Sequence, residues 1–294
     1  MATLETPLSR VEPRLAPAGM GAWIANASVY VWAGFLVVAA LIAITGTLFA
    51  PYDPTSQNVI ARLLPPLSES RRGFHWLGTD PLGRDLLSAI LAGTRLSLFI
   101  GIASTGVGMA IGVSFGMWAG YFGGWVDRVI MRLSEAQTAM PMFLVAIFFL
   151  IVLGPSVLNM LIILPALVWP VFARIVRAET LRLRDQSFIE AAVAAGRTPG
   201  AILWSHILPN VAPRIVVLAV IEVGHVMLAE AGLSFLGVGI QPPDSTWGLL
   251  IARGRPYLAV APWLAIMPGL FLALTVLALN MLSRRYAAVS GSAG

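Results

Sequence analysis

The chain has 294 residues, of which 58% are hydrophobic and 11% charged, and its mean hydropathy is +0.84. This composition is typical of an integral membrane protein and excludes an ordinary soluble domain. All 19 basic residues are arginine and cysteine is absent, which excludes disulfides, thiolate metal sites, lysine Schiff bases and the lysine-dependent phosphate loop of nucleotide hydrolases. The net charge is +5, but the basic residues do not form a cluster interleaved with aromatic residues. We therefore expect no nucleic-acid partner.

Six windows of the chain are apolar and close to the ~20 residues that a helix needs to cross the bilayer. They are residues 29–50, 96–119, 126–153, 157–173, 211–235 and 258–281. The sequence therefore predicts an all-α polytopic membrane protein with six transmembrane helices, five of them in a core at residues 96–285. Residues 1–28 and 286–294 are predicted as tails. Because 12 arginines fall on one side of this arrangement and 7 on the other, we expect both termini to be cytoplasmic.

Residues 51–95 form the predicted extracytoplasmic connection between the first two spans. Five apolar residues near its end share one helical face, opposite Arg84 and Asp85: Leu82, Leu86, Leu87, Ile90 and Leu91. This pattern predicts an interfacial helix lying on the outer leaflet. The alternative is a lid over a transport path or a docking surface for a soluble partner.

The second span carries Gly108, Gly112, Gly116 and Gly120 at strict intervals of four. Such spacing places the glycines on one flat stripe, where another helix backbone can approach closely. We expect tight helix packing there, with a sliding contact during transport as the alternative.

A polar segment, residues 174–210, separates the fourth and fifth spans and is predicted to be a cytoplasmic loop. Ser187 followed by Glu190 is the pattern of a capping box, which predicts a helix over 188–195. Gly196 is placed to end that helix in the left-handed conformation. Thr198 and Pro199 then predict the start of a second short helix, with Pro209 marking the start of the fifth span.

The helix over 188–195 presents a smooth surface of small side chains. Its alanines are Ala191, Ala192, Ala194 and Ala195. Alanine contributes little hydrophobic stabilisation in water, and such a surface suits insertion into a groove on another protein.

The fifth span contains Glu222, His225 and Glu230, which are rare residue types within a bilayer. Glu222 and His225 are three residues apart and therefore share a helical face. This face is predicted to border a translocation path or the interface with a second membrane subunit, and a buried structural pair is the alternative. With no histidine pair at metal-binding spacing, and with Ser234 about 13 Å from His225 along one helix, we expect neither a catalytic nor a metal site.

The segment around Glu190 also carries a family resemblance. The residues that match are Glu190, Ala191, Ala192, Gly196, Ile207, Leu208 and Pro209. Their pattern resembles the EAA loop of ABC importer permeases. Residues 75–85, 123–132 and 230–248 are similar to the C-type permease subunit of dipeptide, oligopeptide and nickel importers.

The resemblance implies a type I ABC importer permease fold with a coupling helix in the loop 174–210. It implies that an ATPase is contacted by Glu190, Ala191, Ala192, Gly196, Arg197 and Pro209. It further implies a bacterial inner-membrane complex of this chain with a second permease, two cytoplasmic ATPase subunits and an extracytoplasmic binding protein. ATP and Mg would be bound by the ATPases, so this chain would need no cofactor and no catalytic residue.

The resemblance favours peptides as the substrate, with nickel or another small solute as the alternative. A stand-alone secondary transporter or a membrane scaffold is the alternative of a different class. Stand-alone transporters usually carry inverted repeats or carboxylates in several spans, whereas the carboxylates here are concentrated in one.

Overall fold

The computed structural model describes residues 20–71 and 73–291, which are mainly helical. The helices are α1 (Met20–Thr45), α2 (Leu86–Phe122), α3 (Gly124–Thr138), α4 (Met142–Leu153), α5 (Val157–Arg184), α6 (Ser187–Ala194), α7 (Pro199–Ile202), α8 (Leu208–Phe235), α9 (Trp247–Gly254) and α10 (Trp263–Gly291). Short 3-10 helices lie at Gly46–Phe49, Val59–Ala61 and Arg255–Tyr257, and a π-helical turn at Leu203–Ile207. Residues 1–19 and 292–294 of the predicted tails lie outside the described residues.

The predicted all-α polytopic class is confirmed, and each of the six predicted windows falls on a helix. Among the described residues, four helices are long and apolar enough to cross a membrane, or up to five if the bent pair α3–α4 counts as one span. The described apolar part of the first window, Val29–Thr45, is shorter. The structure is therefore compatible with six spans.

The predicted interfacial helix is not a separate element, because α2 runs without interruption from Leu86 to Phe122 over 37 residues. Asp85 caps its start, with a side-chain oxygen that accepts a hydrogen bond from the backbone N–H of Ser88 at 2.8 Å. The charged residues at 84, 85 and 95 led the sequence analysis to separate this region from the second span. No proline follows Asp85, so nothing breaks the helix between this region and the span. The connection therefore ends at Asp85.

The predicted third span is two helices rather than one. Helices α3 and α4 meet at an angle of 84°. Pro141 lies at this break; it restricts the preceding residue and carries no N–H for a continuing helix. Further differences lie at helix ends: α1 begins at Met20, α5 continues to Arg184, and α10 runs from Trp263 to Gly291. The predicted tail has no proline that would stop α10 earlier.

The connection between α1 and α2 contains a small antiparallel sheet, β1 (Ser68–Ser70) and β2 (Gly73–His75), which the sequence analysis missed. His75 is buried, and its Nδ1 lies 2.9 Å from Oδ1 of Asp85, while its Nε2 lies 3.1 Å from the Ser70 hydroxyl. Asp85 also caps α2. A buried pair of side chains thus joins the sheet to the first turn of α2.

The glycine stripe of α2 packs against α5. A Cβ atom added to Gly108 would meet Pro165 and Val168, and one added to Gly120 would meet Thr180. Because the contacts advance along both helices together, α2 and α5 are parallel. The apolar core lies around this pair and includes Phe172 and Val176, which are fully buried.

Candidate coupling segment and translocation face

The helix α6 follows α5 after a break at Asp185 and Gln186. Gln186 is the capping residue and has an extended backbone, whereas Ser187 is already helical. The predicted capping box between Ser187 and Glu190 is therefore wrong. The cap lies one residue earlier, and it uses the backbone carbonyl of Gln186, which accepts from the N–H groups of Ile189 and Glu190 at 2.9 and 3.2 Å.

Gly196 ends α6 with a φ of +75°, in the left-handed conformation expected from the sequence. Its N–H donates to the Val193 carbonyl at 2.9 Å, and the N–H of Arg197 donates to the Ala192 carbonyl at 3.1 Å. These two hydrogen bonds form a Schellman motif, which satisfies carbonyls that the end of a helix leaves unpaired. No other atom lies within 4 Å of a Cβ added at Gly196, so glycine is needed for backbone conformation and not for space.

The predicted second helix starts at the expected residues, but it continues into the next helix instead of ending as a separate short helix. The Thr198 hydroxyl accepts from the N–H of Ala201 at 3.3 Å, and Pro199 occupies the first turn. The chain then continues through the π-helical turn into α8, so that Pro209 lies within a helix rather than before one. Pro209 has no N–H to donate within a regular helix. The π-helical turn before it is wider, with the N–H of Leu208 donating to the Leu203 carbonyl, and this turn accommodates the proline without breaking the helix.

One side of α6 is seated on the body of the protein. Ile189 and Ala192 are 1% and 8% exposed and belong to the same apolar cluster as Leu183, Ile202 and Ile207. Ala192 was predicted to contact a partner, but it lies on the buried side of α6, where it packs α6 against the body of the protein. The cluster joins α6 to both α5 and the start of α8.

The other side of α6 is exposed and largely apolar. We define the coupling surface as Phe188, Glu190, Ala191, Val193 and Trp204, all of which are exposed. Phe188, Val193 and Trp204 are 41%, 54% and 65% exposed. Trp204 belongs to the π-helical turn rather than to α6. Exposed large apolar side chains of this kind are typical of a protein interaction surface.

Two charged residues of this segment have no partner for their side chains among the described residues. Glu190 and Arg197 are exposed, and neither side chain forms a hydrogen bond or an ion pair within that part of the chain. Pro209 is also exposed. These residues are available to a partner, unlike the arginines that precede α6.

Those preceding arginines tie α5 to its neighbours. Glu179 pairs with Arg182 at 3.2 Å and also with Arg214, at the start of α8. Arg184 donates from Nη1 to the carbonyls of Gly120 and Tyr121 at 3.4 and 3.3 Å, which are carbonyls at the end of α2. The C-terminal ends of α2 and α5 and the N-terminal part of α8 are thus linked to one another.

A further ion pair joins α5 to α3. Both guanidinium nitrogens Nε and Nη2 of Arg177 donate to the Asp127 carboxylate, with Nη2 at 2.6 Å from Oδ2. Bidentate pairs of this kind fix geometry as well as contributing energy. This ion pair therefore fixes the position of α3 relative to α5.

The Glu222–His225 pair lies midway along α8. Nδ1 of His225 is 3.4 Å from Oε1 of Glu222, and the side chains are 58% and 10% exposed, respectively. We define the α8 stripe as His225, Leu228 and Phe235, which are exposed and lie at spacings that place them on one side of the helix. An exposed histidine on a membrane helix is costly in lipid, so this stripe is a candidate translocation face or permease interface.

Glu230 does not belong to that stripe, although the sequence grouped it there. It is 3% exposed, and its Oε1 accepts hydrogen bonds from the hydroxyls of Ser234 at 2.8 Å and Thr246 at 2.9 Å. Thr246 in turn caps α9 by accepting from the N–H of Leu249 at 3.1 Å. Glu230 is therefore an internal anchor that joins α8 to α9.

Helix α9 was missed by the sequence analysis, although Thr246 is a recognisable cap residue. Its Trp247 is 1% exposed and donates from Nε1 to the Ile90 carbonyl at 3.0 Å, while its backbone N–H donates to the Ser97 hydroxyl at 2.9 Å. Gly248 allows α9 to approach α8 closely, since a Cβ there would lie 2.6 Å from Cα of Ala231. The helix is thereby fixed between α2 and α8.

Comparison with known proteins gives both a family and relatives. Residues 112–290 match the family model described as the binding-protein-dependent transport system inner membrane component. The chain is 41% identical over 248 residues to a glutathione transport system permease protein, GsiD, of Pectobacterium atrosepticum, covering 84% of this chain and 81% of the relative. It is 38% identical over 253 residues to a dipeptide transport system permease protein, DppC, of Alkalihalophilus pseudofirmus, covering 85% and 81%.

A solved structure shares the fold. An inward-facing form of the MetNI methionine ABC transporter aligns with a TM-score of 0.57 and 18% identity, covering 69% of this chain and 97% of the matched chain. At this identity the likeness concerns the arrangement of helices alone.

Proposed function

We propose that this chain, which belongs to the family of binding-protein-dependent transport system inner membrane components, carries short peptides across the membrane. It is the permease subunit of an ABC importer and an integral protein of the inner membrane, and it works with an ATPase and a substrate-binding protein. The observation that carries the peptide substrate is its 41% and 38% identity to permeases named for glutathione and dipeptide transport.

The complex that we propose contains a second, similar permease, two cytoplasmic ATPase subunits and an extracytoplasmic binding protein. Both termini of this chain would be cytoplasmic, with the coupling surface on the same side as the ATPases. The arginine distribution of the sequence supports that orientation. ATP and Mg would be bound by the ATPase subunits.

The ATPase would dock on the coupling surface and move α6. Its exposed apolar side chains and the uncompensated charges of Glu190 and Arg197 support this role. Because Ile189 and Ala192 seat α6 on α5 and α8, a displacement of α6 would reach both helices. From α5 it would pass to α2 through the glycine stripe, where the backbones are in contact.

A pair of matched glycine variants tests this coupling role. Gly196 and Gly237 both have positive φ, at +75° and +86°, and both end a helix with the same pattern of hydrogen bonds. Alanine in the left-handed conformation costs roughly 1 kcal/mol at either position. Gly196→Ala should weaken the stimulation of ATP hydrolysis by substrate in the reconstituted complex, and Gly196→Pro, which also removes the N–H that bonds to Val193, should weaken it further.

Gly237 lies at the other end of α8, so Gly237→Ala should leave the stimulation close to that of the unaltered complex. Assembly of all variants is checked by co-purification of the ATPase. If both Gly196 variants assemble and hydrolyse ATP with normal stimulation, α6 does not couple the two subunits.

The substrate is tested by uptake into cells that lack their own peptide importers and express the complete complex. Uptake of a labelled dipeptide should be saturable and should compete with other short peptides. Uptake of labelled nickel with no uptake of dipeptide or glutathione would replace the peptide assignment with the metal alternative.

We propose that the α8 stripe lines the translocation path or the interface with the second permease. Exposure of a histidine to lipid is energetically unfavourable, whereas a water-filled path or a protein partner would avoid this contact. The exposure of His225 therefore supports the proposal. Glu222→Gln combined with His225→Gln should reduce transport or the yield of the permease heterodimer. Unchanged transport and unchanged assembly would instead favour a purely structural pair.

A further inference from the structure

A cavity of about 1110 Å³ lies at the extracytoplasmic end of the molecule, between α1, the start of α2 and the segment after α8. Its lining combines three arginines with apolar side chains. The residues that matter below are Arg84, Arg95, Arg253, Ile44, Phe99 and Ile102. The cavity is remote from α6, which lies at the opposite end of α2.

Two of the three arginines are not paired with a carboxylate. Arg84 pairs with Asp80 at 2.6 Å. By contrast, the side chains of Arg95 and Arg253 form neither a hydrogen bond nor an ion pair within the described part of the chain. Asp244 also lines the cavity, but it is exposed and pairs with neither arginine. Burial lowers the pKa of the Arg253 guanidinium, and the charge of Arg84 lowers it further, against an opposing effect of Asp80.

The apolar side chains that α2 contributes to the cavity lie farther along the helix than Arg95. Ile102 is seven residues beyond Arg95 along α2, which corresponds to about 10 Å. Phe99 and Ile102 are 51% and 58% exposed, and Ile44 on α1 is 80% exposed. Side chains so exposed on membrane helices contact acyl chains unless another protein covers them.

The cavity also opens away from the rest of the helix bundle. Ser97 bonds to α9, and Gly101 contacts Met227 of α8. Phe99 lies two residues from each of them, and therefore about 200° around α2. The cavity thus faces away from α8 and from the α8 stripe, which disfavours it as a site for the transported solute.

We propose that this cavity binds an anionic phospholipid, with its phosphate on Arg95 and Arg253 and an acyl chain along Phe99 and Ile102. Arginine is well suited to this role because its planar guanidinium binds phosphate oxygens in pairs. Basic pockets between membrane helices bind acidic headgroups for the same reason. The site does not depend on the identity of the transported substrate.

The test measures lipid retention by the purified complete complex. The complex is incubated in detergent with equal amounts of phosphatidylglycerol and phosphatidylcholine, and the ratio of bound lipids is read by native mass spectrometry. The unaltered complex should prefer phosphatidylglycerol. Arg95→Gln and Arg253→Gln should each reduce that preference by about fivefold, which corresponds to the usual ~1 kcal/mol per basic residue at an acidic membrane surface.

Arg71→Gln provides the matched control, because Arg71 is exposed in the connection but does not line the cavity. This variant should keep the preference, and the thermal melting of each variant shows whether the fold is retained. Equal retention of the two lipids by the unaltered complex, or equal losses in all three variants, would overturn the proposal. Displacement of phosphatidylglycerol by inorganic phosphate alone would indicate a free-anion site, and displacement by a dipeptide would indicate a substrate site; either result also overturns it.

Discussion

Replacement of Gly112 by alanine tests the parallel contact of α2 with α5 most directly. A Cβ at this position would lie 2.4 Å from the carbonyl oxygen of Trp169 and 2.6 Å from Cβ of Phe172. Neither atom is the end of a flexible side chain, so the two backbones would have to separate. Gly106 lies in the same helix but would place its Cβ more than 4 Å from any such neighbour, and Gly106→Ala is therefore the matched control.

The expected magnitudes follow from two opposing terms. Alanine is favoured over glycine within a helix by about 1 kcal/mol, and this gain applies at both positions. Overpacking of a close contact costs about 1–3 kcal/mol, and this cost applies only at Gly112. We therefore expect Gly106→Ala to be neutral or slightly stabilising, and Gly112→Ala to be less stable than Gly106→Ala by about 1–3 kcal/mol.

The assay is thermal unfolding of the purified chain or complex in one detergent, followed by tryptophan fluorescence. A difference of this size should separate the melting temperatures of the two variants by several degrees, since 1 kcal/mol moves them by about 2–4 °C in domains of comparable size. If Gly112→Ala melts at or above the temperature of Gly106→Ala, the backbones of α2 and α5 are not in contact at this position.

Two further predictions concern the end of the molecule that contains α9 and the connection between α1 and α2. Trp247→Ala should lower stability by about 3–5 kcal/mol because it empties a buried site, whereas Trp125→Ala, at a position 70% exposed, should have little effect; equal melting temperatures would contradict the position of α9. Asp85→Ala removes the cap of α2 and the partner of buried His75, so it should cost about 2 kcal/mol or more and make the connection at 51–85 easier to cleave by protease. Asp53→Ala, which removes exposed hydrogen bonds to Thr55 and Ser56, should leave the cleavage rate unchanged.

The features that were predicted well from the sequence depend on residues close together in the chain. The four-residue spacing of Gly108 to Gly120 indicated a flat helix face, and the structure places α5 against it. Gly196 and the Thr198–Pro199 pair act through bonds to residues within a few positions. Local backbone chemistry is sufficient for such features.

The features that were missed depend on contacts between distant segments. Glu230 reads as an intramembrane charge when only its own span is considered, but it is paired with Thr246, sixteen residues away, in the cap of another helix. Ala192 looks like its neighbouring alanines in the sequence, yet it is buried and belongs to the apolar core. The continuity of α2 was hidden because hydropathy detects where the membrane begins, whereas a helix begins at its cap, here Asp85.

Synthesis proceeds from the N-terminus, so α2 enters the bilayer before α5 has been made. Because these two helices are parallel, the whole of α3 and α4 must be inserted before α5 can reach the glycine stripe. Until then Gly112 and Gly116 lack the α5 backbone that covers them in the folded protein. A nascent chain that stops after Leu153 therefore lacks the main partner of α2.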